Sequence, residues 1–251
     1  MKILNRVAFS CFVAGILLLS IFSDSPIFFV DIDKPWHLQP FVHEDSLCQM
    51  YKEHYKILVR EPLISTEIDT ARPVTVILVD AWGVPLDSSL MEADFEFFKN
   101  LPARFMMHKR LANRNTHAEG VELRNTYAHS TFFFGGDSLE YDRKQYIPKL
   151  NFDELVFCGV CSDEAMLAKL DSAILDSAGN AVPKMLAWTT GSARDGNREN
   201  LHRTLEGIAN LAAKHPEMQF IVVGTHRPIL GTPETRRMYH AHWVPAVVIN
   251  R

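Results

Sequence analysis

The sequence has few cysteines, no excess of basic residues, and no repeat or low-complexity tract. Four cysteines in 251 residues exclude a small domain held together by disulfides, so the core must come from buried apolar side chains. Lys and Arg number 26 against 30 Asp and Glu, a net charge of -4, which leaves no overall positive field to bind DNA or RNA. We therefore expect one globular domain and no nucleic-acid partner.

The first thirty residues carry the pattern of a secretory signal. Two basic residues precede an uncharged run over residues 7–22, and Ser23 and Ser25 are small residues suited to a cleavage site. The run is slightly short of the roughly 20 residues of a membrane-spanning helix. Residues 1–30 are therefore predicted to be either a cleaved signal peptide or a signal anchor. Both alternatives predict an outward-facing location in the cell envelope, membrane-anchored or secreted, and the membrane is a partner through the N-terminal segment.

Strands and helices alternate through the rest of the chain. Residues 31–72 show no firm periodicity and are predicted to be a connecting segment, and residues 73–251 are predicted to form one domain. The domain opens with a β-branched run at 74–79, typical of a strand buried on both faces. Further strands are predicted at 154–158, 184–189, 220–224 and 246–250, and helices at 88–100, 163–177 and 200–215. This alternation favours a layered α/β fold with a mainly parallel sheet.

Polar residues stand at the ends of several predicted strands. Asp80 follows VILV, His226 follows FIVVGT, and His242 precedes the last strand in HWVPAVVIN. Ligands of a parallel α/β sheet collect beyond the carboxyl ends of its strands, so these side chains mark the candidate site. A carboxylate oxygen and an imidazole nitrogen both suit zinc or manganese. The alternative is that Asp80 caps a turn and each histidine is an ordinary surface residue.

In this order the pieces resemble the alkaline phosphatase superfamily, in particular its sulfatase-like branch of lipoteichoic acid synthases and phosphoethanolamine transferases. The resemblance covers residues 74–250. Asp80 matches the metal-binding acid that ends a strand in the family. Residues 115–123 (NTHAEGVEL) resemble the segment T-S-D-x-E-F with its nucleophilic threonine, and residues 159–167 (GVCSDEAML) resemble a helix-opening G-x-x-D-E segment. The places of the family's D-H and H-x-V-P elements are taken by Thr225-His226 and His242-Trp243-Val244-Pro245.

The resemblance implies an alkaline phosphatase-like fold, with a mainly parallel central sheet and helices on both faces. It also implies an exported, metal-dependent hydrolase or transferase of phosphate or sulfate esters, acting on an envelope lipid or polysaccharide. Thr116 is the implied nucleophile. The implied ligands of a divalent metal, zinc or manganese, are Asp80, Thr116, His226 and His242, and the implied substrate contacts are Arg114, His117 and His240. Ser130 and Thr131 are the alternative nucleophiles.

The sequence also departs from the family pattern. Thr225 stands where the family has an aspartate, which removes one anionic metal ligand. The loop at 189–194 (TTGSAR) lacks the family's substrate-binding histidine. These departures support an alternative function, that of a catalytically inactive binding or scaffold protein with the same fold.

Two cysteines suggest a second alternative. Cys158-Gly159-Val160-Cys161 follows an apolar strand and opens a helix, the setting of a thioredoxin-like dithiol whose thiolate the helix N-terminus stabilises. A dithiol oxidoreductase acting through Cys158 and Cys161 is therefore an alternative function. The structural interpretations of the same residues are a local disulfide or two buried thiols.

Overall fold

The computed structural model describes residues 47–59, 62–111, 115–123, 129–135, 150–159, 161–177, 184–191, 197–229 and 232–250. The predicted signal segment, residues 1–30, lies outside them. Within the described residues the chain forms eight strands and seven helices. In chain order these are α1 (Gln49–His54), β1 (Lys56–Leu58), α2 (Ile64–Glu67), β2 (Val74–Val79), α3 (Ser88–Glu96), β3 (Ala103–Lys109), α4 (Asn115–Glu122), β4 (Ser130–Phe134), β5 (Glu154–Phe157), α5 (Asp163–Ser177), β6 (Met185–Thr189), α6 (Arg198–Lys214), β7 (Gln219–Gly224), α7 (Pro233–Arg237) and β8 (Trp243–Ile249).

The eight strands form one sheet in the order β1-β3-β8-β7-β2-β6-β4-β5. Strand β8 is antiparallel to its neighbours β3 and β7, and every other pair is parallel. Seven strands therefore share one direction, and their carboxyl ends lie together with the start of β8 along one side of the sheet, here named the carboxyl edge. The mainly parallel sheet that the alternation predicts is confirmed.

Helices cover both faces of the sheet because the central strands are apolar on both sides. Along β2, Ile77 and Val79 belong to one core cluster, whereas Val76 and Leu78 belong to another. Successive side chains of a strand point to opposite faces, so the two clusters lie on opposite sides. Helices α3, α5 and α6 contribute to the first cluster through Met91, Phe95, Leu170, Leu205 and Ile208. Helices α2 and α4 contribute to the second through Ile64 and Ala118.

The longer predicted elements correspond to structural ones. The strands predicted at 154–158, 184–189, 220–224 and 246–250 are β5, β6, β7 and β8, and the predicted helices are α3, α5 and α6. The described part of the predicted connecting segment contains α1, β1 and α2, and β1 pairs with β3. The boundary near residue 73 stays a prediction. None of the helices in the described ranges is both long and apolar enough to cross a lipid bilayer.

Candidate functional site

Asp80 and His226 meet at the carboxyl edge. Asp80 directly follows β2 and His226 lies two residues beyond β7, and these two strands pair in parallel. His226 Nε2 lies 3.2 Å from Asp80 Oδ1, and both side chains are buried. The backbone N–H of Asp80 donates to Thr190 Oγ1 at 3.0 Å, which ties Asp80 to the end of β6. Two of the strand-end residues that the sequence marks therefore form one buried pair.

The two loops that carry this pair pack backbone against backbone. A Cβ atom on Gly224 would lie 2.0 Å from the carbonyl oxygen of Trp82, and one on Gly83 would lie 2.7 Å from Arg227 Cα. A side chain therefore does not fit at either position without displacing a loop. Ala81, directly after the strand-end acid, has a φ of 55°, a left-handed conformation that costs a residue with a Cβ about 1–2 kcal/mol. The tight packing keeps both loops in one arrangement despite this strain.

Thr225, His240 and His242 lie at the same edge of the sheet. Thr225 Oγ1 donates to the backbone oxygen of Val79 at 3.4 Å, so this hydroxyl is engaged with the backbone. The backbone oxygen of His242 accepts from the N–H of Arg110 at 2.7 Å. Nδ1 of His242 and Nε2 of His240 are buried and have no hydrogen-bond partner among the described residues. Burial lowers the pKa of His240, which favours the neutral imidazole.

The divalent cation that the resemblance implies has two suitable donors here. His226 Nδ1 lies 2.7 Å from the carbonyl oxygen of Arg227 and donates to it, because a carbonyl only accepts. The other ring nitrogen, Nε2, faces Asp80. A ring N–H that is hydrogen-bonded to a backbone carbonyl is the usual support of a metal-ligating histidine. Across the described ranges, no three His, Cys, Asp or Glu side chains lie close enough together to hold a metal. The pair offers a cation two donors, and among the described residues no third His, Cys, Asp or Glu joins it.

Two buried glutamates fasten helix α4 to the carboxyl edge. Glu119 accepts a hydrogen bond from Thr189 Oγ1, at the end of β6, at 2.7 Å. One turn later, Glu122 pairs with Arg110, directly after β3. The helix is thereby tied to strands on both sides of β2. Its position relative to the sheet is set by charged groups as well as by apolar packing.

The predicted nucleophile lies in the first turn of α4. Thr116 and His117 are both half-buried there, and Arg114 lies outside the described residues. In the pattern T-S-D-x-E-F the glutamate follows the threonine by four positions, whereas Glu119 follows Thr116 by three. Pairing Glu119 with the glutamate of the pattern places Asn115 at the position of the threonine. Asn115 Oδ1 is buried without a hydrogen-bond partner among the described residues. Whether Thr116 or Asn115 is aligned with the threonine of the pattern, the aligned residue lies in the first turn of α4.

Arg110 and Glu122 form a fully buried ion pair that the sequence analysis did not identify. Arg110 Nη2 also donates to the carbonyl oxygen of Gly224 at 3.2 Å, at the start of the loop that carries His226. Glu122 accepts from the N–H of Ile64 at 2.9 Å and lies 3.3 Å from His108 Nε2. Burial by itself raises the pKa of Glu122, but Arg110, His108 and the Ile64 N–H together lower it to about 2. An isolated Arg or Glu in a sequence is usually a surface residue, so no pattern marks this pair.

A second buried acid supports the loop that follows Asp80. Asp94 of α3 accepts from Trp82 Nε1 at 3.1 Å, pairs with Arg198 of α6, and lies 2.9 Å from His202 Nε2. Burial raises the pKa of Asp94, although Arg198, Trp82 and His202 oppose this effect. The carboxylate therefore links two helices to the tryptophan of the site loop.

Cys158 and Cys161 are joined by a disulfide between the end of β5 and the start of α5. This is the local disulfide among the interpretations of these residues. The first turn of α5 carries Asp163 and Glu164, and their negative charge disfavours the thiolate that a dithiol oxidoreductase needs. Asp163 accepts from Thr204 Oγ1 of α6 at 2.7 Å, so this turn has a structural role.

The alternative nucleophiles lie at the other end of the sheet. Ser130 and Thr131 begin β4, and therefore stand at the amino ends of the parallel strands. Thr131 Oγ1 donates to Glu154 Oε2 at 3.0 Å, and Ser130 Oγ lies 3.3 Å from Asp153 Oδ2. Neither residue belongs to the edge that carries the Asp80 and His226 pair.

Solved structures with this fold exist. A protein of the alkaline phosphatase superfamily from Vibrio parahaemolyticus matches with a TM-score of 0.55 and 13% identity, over 73% of this chain and 62% of that one. The lipoteichoic acid synthase LtaP from Listeria monocytogenes matches with a TM-score of 0.50 and 9% identity, over 71% of this chain and 65% of that one. The chain has the alkaline phosphatase fold. The fold that the motifs imply is thus confirmed.

Comparisons with family models and with curated proteins find no match to this chain. The chain spans less than two thirds of the length of either structure that it resembles. At these low identities the similarity shows the alkaline phosphatase fold alone. The similarity therefore does not show which residue is the nucleophile, which metal is bound, what the substrate is or where the protein is located.

Proposed function

We propose that the chain is a hydrolase or transferase of phosphate or sulfate esters, with its site at the carboxyl edge of the alkaline phosphatase fold. The observation that supports this most directly is the buried pair of Asp80 and His226, a carboxylate and a suitably oriented imidazole beyond adjacent parallel strands. We also propose export, from the signal pattern in residues 1–30. An ester in an envelope lipid or polysaccharide is then the proposed substrate.

In this proposal, Asp80 and His226 would hold zinc or manganese, with Thr116 and His242 as further ligands, and the ion would supply a lower pKa to a nearby hydroxyl. Binding would have to draw His242 towards the pair, because no third His, Cys, Asp or Glu lies beside it in the described residues. Thr116 Oγ forms a bond to phosphorus or sulfur, its proton passes to solvent, and the alcohol of the substrate leaves with the bonding electrons. Water or an acceptor alcohol then displaces Thr116. Peptide N–H groups in the first turn of α4 stabilise negative charge on the transferred group. The proposed contacts to the anionic oxygens are Arg114, His117 and His240.

The first test measures metal content and turnover of a nitrophenyl phosphodiester with the full chain. Asp80→Ala/His226→Ala is expected to lose a stoichiometric metal that the wild type holds, because both donors are removed. The matched control, Asp176→Ala/His54→Ala, removes an exposed acid and an exposed histidine and is expected to keep the metal. Equal metal content in the two double variants would show that this pair is not the metal site.

The second test concerns the nucleophile. Thr116→Ala is expected to lower kcat at least about a thousandfold, because no bond to the transferred group can form. Asn115→Ala, which alters the neighbouring position of the same turn, is expected to retain turnover. Activity that survives in Thr116→Ala would contradict the assignment of the nucleophile. Circular dichroism of each variant establishes that the fold is intact.

A noncatalytic binding protein is the second candidate, and Thr225 favours it. A hydroxyl that donates to the backbone oxygen of Val79 replaces the carboxylate of the family pattern. This candidate predicts calorimetric binding of a phosphate monoester to the full chain, with no turnover and no stoichiometric metal. Turnover that is lost in Thr116→Ala would exclude it.

A further inference from the structure

Exposed apolar side chains concentrate at the carboxyl edge. Among the described residues, large apolar side chains are exposed at Val59, Leu86, Leu111, Leu155, Phe157, Leu175 and Met238. Val59 directly follows β1, and Leu111 lies two residues beyond β3, which runs parallel to β1. Leu86 lies in the segment that follows Asp80, and Met238 lies in the segment that leads to β8. The N–H of Leu86 donates to the carbonyl oxygen of Met238 at 2.8 Å. Four of these seven side chains therefore lie beyond the same edge as the candidate site, and Phe157, the last residue of β5, lies at that edge at the far end of the sheet from β1.

Basic side chains lie among these four. Lys109 ends β3, Arg227 lies three residues beyond β7, and Arg236 and Arg237 form the last turn of α7, next to Met238. Arg227 Nη1 donates to the carbonyl oxygen of Arg236 at 3.4 Å, so the loop after β7 and helix α7 are in contact. The exposed acids next to them in the chain are Asp87 and Glu234, and Asp80 and Glu122 are buried at the same edge. Of the four basic residues Arg237 is exposed and the other three are half-buried, and together they outnumber the two exposed acids.

We name the four apolar residues (Val59, Leu86, Leu111 and Met238) and the four basic residues (Lys109, Arg227, Arg236 and Arg237) the apolar-basic rim. A single exposed leucine is ordinary on a protein surface. Apolar side chains beyond one edge, with Arg236 and Arg237 next to Met238 and Lys109 two residues from Leu111, instead fit the boundary between lipid headgroups and acyl chains. The apolar groups leave water, while the guanidinium groups remain among the lipid phosphates.

We propose that the apolar-basic rim docks on the surface of a bilayer that contains anionic lipid. Leu86, Leu111 and Met238 enter the headgroup region in this arrangement, and Arg236 and Arg237 contact phosphate groups. The carboxyl edge then faces the membrane. This surface is distinct from the N-terminal segment. The proposal goes beyond the proposed function, because docking requires no catalysis and is measured without a substrate.

The test places a tryptophan at the rim and another at the opposite end of the sheet. Met238→Trp and Leu175→Trp are compared in the full chain, on vesicles of equal parts phosphatidylglycerol and phosphatidylcholine that carry brominated acyl chains. Leu175 is exposed near the end of α5, whose last turns lie at the amino ends of the strands. Native tryptophans are common to both variants, and Trp82, Trp188 and Trp243 are buried. Bromine is expected to quench the added emission of Met238→Trp and to spare that of Leu175→Trp.

Residues 1–30 are identical in both variants, so the comparison reports which end of the sheet approaches the lipid. In the Met238→Trp background, Arg236→Gln/Arg237→Gln is expected to weaken docking about fivefold for each charge removed. The matched control, Lys169→Gln/Lys184→Gln, removes two basic side chains away from the rim and is expected to leave quenching unchanged.

Three results would overturn the proposal. Equal quenching at positions 238 and 175 would show that the rim does not approach the lipid. Quenching that is as strong on pure phosphatidylcholine would remove the role of anionic lipid. A shift of Met238→Trp emission that depends on protein concentration, and not on vesicles, would identify the rim as an interface between copies of this chain.

Discussion

Replacing Glu122 with glutamine tests whether charged groups hold the candidate site together. Glu122→Gln keeps the shape of the side chain but leaves Arg110 buried without its anionic partner. The pKa of Glu122 is lowered from an ordinary 4.5 to about 2, a difference that corresponds to about 3 kcal/mol. Removing one member of a buried ion pair costs about 3–5 kcal/mol, which agrees. We therefore expect the free energy of unfolding to fall by about 3 kcal/mol.

The assay is urea unfolding of the full chain, followed by tryptophan fluorescence. With a slope of about 2–3 kcal/mol/M, the midpoint should fall by about 1 M. Glu96→Gln is the matched control, since Glu96 pairs with Lys99 at an exposed position and should change stability by less than about 1 kcal/mol. Arg110→Met/Glu122→Met should be less harmful than Glu122→Gln, because it leaves no buried charge. A cost for Glu122→Gln no larger than that for Glu96→Gln would refute the reasoning.

The same pair predicts how stability depends on pH. The pKa of Glu122 is lower in the folded state than its ordinary value, so its contribution is complete above about pH 4.5. The contribution is lost as the pH falls from there towards about 2. Wild type should therefore lose more stability than Arg110→Met/Glu122→Met between pH 5 and pH 3. Parallel stability curves over this range would contradict the assignment.

Three further substitutions test the surroundings of the site by thermal unfolding. Gly224→Ala should destabilise the fold by more than about 2 kcal/mol, because the added Cβ would lie 2.0 Å from the carbonyl oxygen of Trp82. An unchanged melting temperature would show that the loops carrying Asp80 and His226 move apart freely. Ala81→Gly should be neutral or stabilising because it relieves a φ of 55°, whereas Ala168→Gly, at an exposed position inside α5, should cost about 1 kcal/mol; equal losses would argue against strain. Asn197→Ala should cost about 1 kcal/mol by removing the cap of α6, and no change would indicate that the cap contributes nothing.

The central strands could be predicted because their sequences are continuous and apolar. β2, β7 and β8 are buried along their whole length, and such runs fit the middle of a parallel α/β sheet. Locating these strands also locates their ends, and the sequence alone therefore predicts Asp80 and His226 at one edge of the sheet. The structure places their side chains 3.2 Å apart, and their role as metal ligands stays a prediction.

Other parts of the structure carry no comparable local pattern. β1 has three residues, and β3 begins and ends with half-exposed positions, so neither shows a continuous apolar run. The partnership of Arg110 with Glu122 depends on how β3, α4 and the end of β7 assemble, which is a tertiary property. The sequence likewise does not determine how Thr116 aligns with the family pattern. If the alignment shifts by one residue, Asn115 takes the position of the pattern's threonine in place of Thr116.

The position of β8 has a consequence for how the protein is made. This strand lies between β3 and β7, and β1 joins the sheet through β3, so β8 connects two blocks of strands. β3 (Ala103–Lys109) precedes β8 (Trp243–Ile249) by well over a hundred residues, and such distant pairing slows folding. Until β8 has been synthesised, the ribbon of β1 and β3 lacks the strand that joins it to the other described strands, and an edge of β3 is exposed. A nascent chain at that stage is the form of this protein that most needs a chaperone.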